Sequence, residues 1–316
     1  MFNSVEFEAR SRVALRELDF KSYLKVPRDL ETLTRSVQRK FYRGYHFKAH
    51  SYISGDSFKA ICDLELSIDN WNSVLMSTTL NNDKSYSLFI PGEPRSKVSF
   101  EIVKYLESTN QYFFPNVTLF FHNGDSFPQP SSIKKIANLF KKVYAVNWLG
   151  DASNVAPIPI GLENEGYLLN GVLRDYLSMV PKLKPWNSRD IQVLVCFSIH
   201  TNLSERSEAL HFARQINGAL IIDKPVTPRR YRELLSNSKF VISPPGNGID
   251  CHRTWESMFL GAVPIVKKNF WPFSKFEMNI RILDDWKQLS NFRMDAPEID
   301  HSVFYKKYAK VENWLL

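Results

Sequence analysis

One segment in the second half of the chain limits the possible folds more than any other. Residues 240–266 read FVISPPGNGIDCHRTWESMFLGAVPIV: an apolar strand, a loop rich in proline and glycine, an amphipathic helix and a second apolar strand. The loop glycines tolerate unusual backbone angles and let the chain approach a ligand closely. In open α/β sheets, ligands bind at the carboxyl edge of the strands, where such a loop lies. The segment therefore predicts an α/β fold with one half of a nucleotide site at this loop.

The predicted helix carries charged residues near its amino-terminal end. Arg253 and Glu256 are three residues apart, so they share a helix face. Free backbone N–H groups at a helix start, together with an arginine, favour an anionic phosphate group. Asp250 has the position and residue type of an N-cap. His252 is interpreted either as a phosphate ligand or as a group that satisfies a buried carbonyl.

At this point the residues resemble a known family. The pattern S-P-P-G-N-G-x-D-x-H-R-T-W-E-x-x-x-x-G-x-x-P-I-V in residues 243–266 is similar to the nucleotide-binding segment of exostosin-like glycosyltransferases. It also resembles related polysaccharide transferases of bacteria and viruses, and the ribitol xylosyltransferase group. Three further pieces fit the same picture: FFHNGD at 120–125, PIPIGLEN at 157–164 and VLVCFSIHTN at 193–202. The long motif is specific for the superfamily, but not for a donor sugar or an acceptor.

The resemblance implies a glycosyltransferase of the GT-B type, an α/β protein with two Rossmann-like domains facing across a cleft. In that family the arginine and the glutamate of the R-x-x-E pattern contact the donor diphosphate and the donor ribose; they correspond to Arg253 and Glu256. This agrees with the chemistry, because a guanidinium binds phosphate oxygens bidentately and a carboxylate accepts hydrogen bonds from a ribose diol. The other candidates for donor binding are Gly246, Asn247, Gly248, Asp250, His252, Thr201, Asn202 and Arg206. Arg206 is either a second cation at the diphosphate or a surface residue.

The length of 316 residues suits two domains. Strands that alternate with helices indicate parallel sheets with helices packed on both faces. We expect an acceptor-side domain over residues 1–180, with a helical extension in residues 1–50, and a nucleotide-binding domain over residues 190–300. Prolines mark residues 170–190 as the linker. Helical spacing continues from residue 303 to the end, and the resemblance implies that residues 301–316 pack back on the N-terminal domain.

Three residues of the first half are candidates for a catalytic base. His122 and Asp125 belong to the HNGD loop at the end of an apolar strand, and Glu163 follows another. A base would take the proton of an acceptor hydroxyl, which is a poor nucleophile until that proton leaves. Alternatively, HNGD is a turn in which Asp125 caps the next segment. Glu163 is open to three readings: base, acceptor ligand or helix-start carboxylate.

No metal and no cofactor are expected beyond the sugar nucleotide, for which UDP is the expected carrier. The chain has no D-x-D motif, and GT-B enzymes neutralise the leaving diphosphate with arginine, lysine and helix dipoles. Cys62, Cys196 and Cys251 are far apart and odd in number, which indicates reduced thiols in the cytoplasm.

The net charge of +8 arises partly from basic clusters at residues 35–48 and 224–232 and at Lys306, Lys307 and Lys310. Such clusters suit an anionic membrane surface or an anionic glycan, and a solvated face is the alternative. No nucleic-acid-binding motif accompanies them, so nucleic acid is not an expected partner. No apolar run approaches the ~20 residues that cross a bilayer. The expected location is the cytoplasm, with peripheral membrane contact as an option.

The sequence therefore favours a glycosyltransferase of polysaccharide synthesis. It would move a hexose or pentose from a nucleotide diphosphate sugar to a glycan or lipid-linked acceptor, with inversion and without metal; retention stays open. The main alternative is a non-catalytic protein that binds a glycan or a nucleotide on the same fold. A sugar-nucleotide epimerase or a phosphorylase-like enzyme would need a cofactor lysine or a hydrolytic motif, and neither is seen.

Overall fold

The computed structural model describes residues 50–79, 84–109, 112–167, 169–295 and 300–315. The helical extension predicted for residues 1–50 lies outside these ranges except for its last residue, as does the basic cluster at 35–48. The described residues form two parallel sheets of five strands each, with helices between the strands. The predicted α/β class is therefore confirmed. Among the described helices, none is both long enough and apolar enough to cross a bilayer.

The first sheet is built by the N-terminal half. Its strands are β1 (Leu64–Glu65), β2 (Tyr86–Pro91), β3 (Phe114–His122), β4 (Phe140–Ala145) and β5 (Val155–Pro157). Neighbouring strands pair in parallel, and their order in the sheet is their order along the chain. Because that order never reverses, this sheet has no switch point of its own where a ligand would bind.

Side chains of the first sheet alternate between two different cores. The helices of this half are α1 (Gly55–Ala60), α2 (Trp71–Thr79), α3 (Val98–Thr109), α4 (Pro130–Ala137) and α5 (Leu173–Met179). Leu88 and Leu119 share a buried cluster with Ile102 of α3 and Ile133 of α4. Phe89, on the opposite face, belongs to a cluster that runs through α1 into the second half of the chain. The second face of this sheet is thus covered largely by the other half.

The first strand of the second sheet lies next to one of its edges. Its strands are β6 (Ile191–Val195), β7 (Ala219–Ile221), β8 (Ser238–Ile242), β9 (Val263–Lys267) and β10 (Arg281–Leu283), in the order β10-β9-β8-β6-β7. The chain leaves β6 for β7 on one side and returns to β8 on the other. This is the 2-1-3-4-5 order of doubly wound folds, and ligands bind where it reverses, at the carboxyl ends of β6 and β8.

Helices cover both faces of the second sheet, as predicted. They are α6 (Leu203–Ala213), α7 (Pro228–Ser236) and α8 (His252–Phe259), and α9 (Ser302–Lys307) follows the last strand. Ala209 of α6 packs on Val193 and its neighbours, while Leu234 of α7 and Trp255 of α8 lie in the cluster on the opposite face. The two sheets are compatible with the expected pair of Rossmann-like units. The domain boundaries themselves stay a prediction.

The segment predicted as a linker, residues 170–190, is largely structured. It holds α5 and two 3-10 turns, Val180–Lys182 and Trp186–Ser188. An ion pair of 2.6 Å between Asp175 Oδ2 and Arg232 Nη2 ties α5 to α7, and Arg232 is buried. The prolines that suggested a linker come after the last turn of α5, where proline is tolerated.

The end of the chain is not one helix. After α9, a 3-10 turn covers Val311–Trp314. The residues between pair with the start of the described chain: the Ile53 N–H donates to the Ala309 carbonyl at 2.9 Å. This pairing requires extended backbone, so the predicted continuous helix from residue 303 was wrong. Trp314 packs edge-on against Trp255 at 5.6 Å between ring centroids, so the tail contacts both halves.

Replacing Arg232 with methionine should destabilise the protein. The variant leaves the Asp175 carboxylate, only 14% exposed, without its guanidinium. Breaking a buried pair in this way costs about 3 kcal/mol of unfolding free energy, measured by urea denaturation. Arg230→Met is the matched control, because its ion pair with Glu233 on the same helix is exposed and should be worth less than about 1 kcal/mol. Equal losses in the two variants would contradict the role given to the buried pair.

Candidate functional site

A cavity of about 820 Å³ opens at the switch point of the second sheet. It is bordered by the loops that follow β6 and β8 and by the first turn of α8. Residues of the first half complete the wall, among them Asp125, Ile160, Glu163 and Asn170. The cavity therefore lies between the two halves, where the fold places a ligand.

Two arginines lie side by side in this cavity. Arg253 Nε donates to the Cys196 carbonyl at 3.0 Å, while its Nη1 is buried and has no hydrogen-bond partner among the described residues. Arg206 is buried; its Nε donates to the Pro245 carbonyl at 2.8 Å and its Nη1 to the Ser198 carbonyl at 2.7 Å. Arg206 is thus no surface residue: it joins the loop after β6 to the loop after β8.

These two arginines form no ion pair among the described residues, and an aromatic ring lies beside them. Both guanidinium groups lie over the ring of Phe197, at 5.4 Å for Arg253 and 5.9 Å for Arg206. Burial lowers the pKa of Arg206, and the charge of Arg253 lowers it further. Within the described part of the chain, neither arginine forms an ion pair with a carboxylate. Buried charge is costly unless it is paired, so the pair is suited to an anionic ligand.

Glu256 borders the same cavity and is 3% exposed. Its Oε2 accepts a hydrogen bond of 3.1 Å from the Tyr231 hydroxyl. Burial raises the pKa of Glu256, and burial likewise raises the pKa of Tyr231. The sequence predicted Glu256 but missed Tyr231, which lies in α7 outside the motifs named above.

The two glycines of the loop after β8 are needed for close packing. A Cβ on Gly246 would lie 2.7 Å from Arg206 Nη2, and one on Gly248 would lie 2.6 Å from Asn147 Nδ2. Neither glycine has a left-handed φ, so it is this close packing that favours glycine at both positions. Asn147 was missed, although it follows β4 directly and a strand-end search would find it.

The loop after β6 contributes one residue that lines the cavity and one that holds two loops together. Thr201 borders the cavity. Asn202 is not among the lining residues: its Nδ2 donates to the Gly246 carbonyl at 3.2 Å, and its Oδ1 accepts from the Glu205 N–H as the N-cap of α6. Asn202 therefore holds the two loops together instead of facing the cavity.

Asp250 is not the N-cap of α8, contrary to expectation. Cys251 occupies that position and supplies no side-chain cap. The Asp250 carboxylate accepts the Trp255 indole N–H at 2.9 Å and the Ile160 N–H at 2.8 Å, and Asn147 Oδ1 accepts the Asp250 N–H at 2.9 Å. Burial raises the pKa of Asp250 to about 6. Because the Asp250 carboxylate already accepts hydrogen bonds from Ile160 and Trp255, it joins the two halves and is not a ligand of the sugar nucleotide.

Two more hydrogen bonds cross between the halves beside Asp250. His252 Nδ1 donates to the Gly161 carbonyl at 2.8 Å, which is the carbonyl-satisfying role considered for this residue. Asn247 Nδ2 donates to Asp125 Oδ2 at 3.0 Å. Both Asn247 and His252 also border the large cavity.

His122 does not have the geometry of a catalytic base. It is 1% exposed, and burial lowers its pKa to about 4. Its Nε2 donates to the Pro159 carbonyl at 3.0 Å, and its Nδ1 accepts the Asn123 N–H at 2.7 Å. The ring also stacks on Phe58 at 5.3 Å. With both nitrogens in use, His122 shapes the loop after β3 and offers no free lone pair for the proton of an acceptor.

The other two candidate bases reach the cavity. Asp125 is exposed, and its carboxylate accepts from Asn247. Glu163 is half-buried; its Oε2 accepts the Asn170 N–H at 2.9 Å. Asn170 Oδ1 is buried without a hydrogen-bond partner among the described residues, although it lines the cavity. These groups form a polar wall opposite the arginines.

A second cavity of about 200 Å³ adjoins the first on the side of the N-terminal half. The two cavities share Asp125, Ile160 and His252 as lining residues. Arg95, whose guanidinium lies 5.2 Å from the ring centre of Tyr167, forms part of the far wall. Sequence reasoning identified neither Arg95 nor Tyr167, because they lie in loops without a recognisable motif.

No protein-family model matches this chain, and no curated protein matches it in sequence. Within the described ranges, no three histidine, cysteine, aspartate or glutamate side chains are placed to hold a metal ion together. All three cysteines are free thiols. The resemblance to glycosyltransferases therefore depends on the motif residues and on the site described above.

The Asp250→Asn variant should change how the free energy of unfolding depends on pH. Because the folded-state pKa is raised to about 6, the folded protein binds a proton more tightly than the unfolded chain, so Asp250 contributes less stability as pH rises from about 4 to 6. The stability advantage of the natural protein over the variant should shrink by about 2 kcal/mol across that interval. Urea denaturation at several pH values measures it. A stability difference between the natural protein and the variant that grows with pH would contradict the raised pKa of Asp250.

Proposed function

We propose that this protein is a glycosyltransferase of the GT-B type, which moves a sugar from a nucleoside diphosphate sugar to an acceptor hydroxyl. The observation that carries the proposal is the pair Arg206 and Arg253 at the switch point, neither of them paired with a carboxylate of the described chain. A diphosphate supplies the negative charge that this pair lacks, and guanidinium groups bind phosphate oxygens bidentately.

The large cavity suits a sugar nucleotide in size and in lining. Its volume of about 820 Å³ falls within the ~300–1,000 Å³ of small-molecule sites. Apolar residues such as Ile222 and Val226 at one end suit the face of a nucleobase. Glu256, with Tyr231 behind it, would accept hydrogen bonds from the ribose hydroxyls. UDP is the proposed carrier.

The leaving diphosphate would be stabilised by fixed positive charge. Arg253 lies in the first turn of α8, and no side chain caps that helix start, so its N–H groups and dipole add to the two guanidinium groups. Fixed donors of this kind stabilise the charge that develops on the leaving oxygen. The proposed reaction accordingly needs no metal ion.

The acceptor would occupy the smaller cavity. A hydroxyl placed there lies next to the donor site, because the two cavities share part of their lining. The amides of Asn123 and Asn164 and the ring of Tyr167 are groups that bind sugar hydroxyls and sugar faces. We propose a glycan or lipid-linked acceptor in the cytoplasm; the basic residues Lys306 and Lys307 would favour contact with an anionic membrane surface.

One observation favours a second candidate function, a protein that binds nucleotides without catalysis. Each of the three predicted bases, His122, Asp125 and Glu163, hydrogen-bonds to a protein group. Donor hydrolysis separates the two functions, because active transferases pass some sugar to water. Release of UDP from a UDP-sugar supports the transferase, and tight UDP binding without release supports the alternative.

Arg253→Ala should weaken nucleotide binding. A thermal-shift screen of UDP, GDP, CDP and ADP without metal comes first, because a ligand of the native state raises Tm. For the best of them, expected to be UDP, isothermal calorimetry should show affinity reduced about 10- to 100-fold, the loss of charge-assisted hydrogen bonds. Arg293→Ala, which removes an exposed arginine outside the cavity, should change nothing. Unaltered affinity in Arg253→Ala would refute the donor site.

Glu256→Gln should weaken UDP binding by weakening the hydrogen bonds to the ribose hydroxyls. Glutamine keeps an oxygen for the Tyr231 hydroxyl but loses the charge, so UDP affinity should fall about 5- to 20-fold, as for a hydrogen bond to a charged group. The fall should be smaller for 2′-deoxy-UDP, which lacks one of the hydroxyls concerned. Calorimetry with both ligands and both proteins measures the coupling. The same loss for each ligand would place Glu256 away from the ribose 2′-hydroxyl.

A further inference from the structure

The junction of the two cavities is the place where a proton must move during transfer. An acceptor hydroxyl in the smaller cavity would attack a sugar carbon held in the larger one. A side chain that borders both cavities is placed to contact that hydroxyl as it attacks. Asp125, Ile160 and His252 border both, and of these only Asp125 and His252 can accept a proton.

The hydrogen bond at His252 determines which of its nitrogens carries the proton. The Gly161 carbonyl can only accept, so Nδ1, at 2.8 Å from it, must be protonated. In the neutral ring Nε2 then carries a free lone pair. Among the described residues, Nε2 has no hydrogen-bond partner. A histidine oriented through Nδ1 by a fixed acceptor is the arrangement that general bases use.

The remaining candidates are less suited to this position. Asp125 is exposed and its carboxylate accepts from Asn247, so water and an amide compete for its lone pairs. Glu163 borders only the larger cavity. His122 borders the smaller cavity, but both its nitrogens are in use. His252 is half-buried and held at the start of α8, which keeps its ring in one place.

We infer that Nε2 of His252 is the general base of the transfer reaction, an inference that rests on the proposed function. The acceptor O–H bond breaks and its proton moves to Nε2. The acceptor oxygen forms a bond to the anomeric carbon. The bond from that carbon to the β-phosphate oxygen breaks, and its electron pair leaves with the diphosphate. The products are the new glycoside, the nucleoside diphosphate and an imidazolium that returns its proton to water.

Groups of both charge signs lie around the His252 ring. The Gly161 carbonyl accepts the Nδ1 proton in both states of the ring. The carboxyl groups of Asp250 and Glu256 lie close enough that a positive His252 lowers the pKa of each. Arg253, the next residue, carries positive charge. His122 across the junction is neutral, because burial lowers its pKa to about 4.

The variant His252→Asn tests the inference with the fold preserved. The Asn amide nitrogen takes the place of Nδ1 and keeps the bond to Gly161, while Nε2 is lost. UDP release from UDP-glucose, UDP-N-acetylglucosamine and UDP-xylose is measured with water as acceptor, beside calorimetry with UDP. Turnover should fall about 100- to 10,000-fold, the usual contribution of a general base, with UDP affinity unchanged. His211→Asn, an exposed histidine on α6, is the matched control and should behave as the natural protein.

Two outcomes overturn the inference alone. The first is natural turnover in His252→Asn. The second comes from ¹⁵N–¹H correlation spectra of the natural protein, with the His252 signals assigned through the variant: a proton on Nε2 of the neutral ring would exclude its role as base. Two other results would overturn the proposed function as well. A natural protein that binds UDP but releases none from any of the three sugars overturns both proposals and supports simple nucleotide binding, and one that does not bind UDP removes the donor site itself.

Discussion

The carboxylate of Asp250 is the constraint on which the site depends. It lies buried between the two halves and accepts N–H groups from each: Ile160 from the first half, and Trp255 from α8. The backbone N–H of the same residue is held by Asn147. A buried carboxylate is costly without such donors, so the two halves satisfy it only in this arrangement. The start of α8, with Arg253 in its first turn, is thereby positioned against the first sheet.

The orientation of α8 explains why the cationic groups gather in one place. The reversal of strand order brings the loops after β6 and β8 together, and Arg206 spans them with hydrogen bonds to Ser198 and Pro245. Arg253 reaches the same point from the helix start. The close approach of Gly246 to Arg206 leaves no room for a side chain there. Positive charge is thus concentrated at the sheet edge, where neither arginine forms an ion pair with a carboxylate of the described residues, an arrangement that favours an anionic ligand.

Helices and strands whose pattern lies within one short stretch were predicted well, although the N-cap of α8 was not. The helix Pro228–Ser236 begins as its sequence indicates, with Thr227 as N-cap and proline at its first position. Buried strands such as Ser238–Ile242 read as apolar runs. Predictions failed where distant residues decide. The helix predicted from residue 303 ends at Lys307, and Lys310 then pairs with Tyr52 in an antiparallel bridge. In the supposed linker, Asp175 of α5 forms an ion pair with Arg232 of α7.

The sequence by itself determined the α/β class, most of the strands and the cluster of residues that surrounds Arg253 and Glu256. These follow from hydrophobic periodicity and from a contiguous motif, both of which are local. Only the tertiary structure decided what each side chain does. Both nitrogens of His122 form hydrogen bonds, and Asp250 joins the two halves. His252 lies at the junction of the two cavities, where Nδ1 is bonded and Nε2 is not. The physical reason is that the role of a polar group depends on which partner satisfies it. Ile160 lies 90 positions from Asp250 in the chain, and Gly161 lies 91 positions from His252.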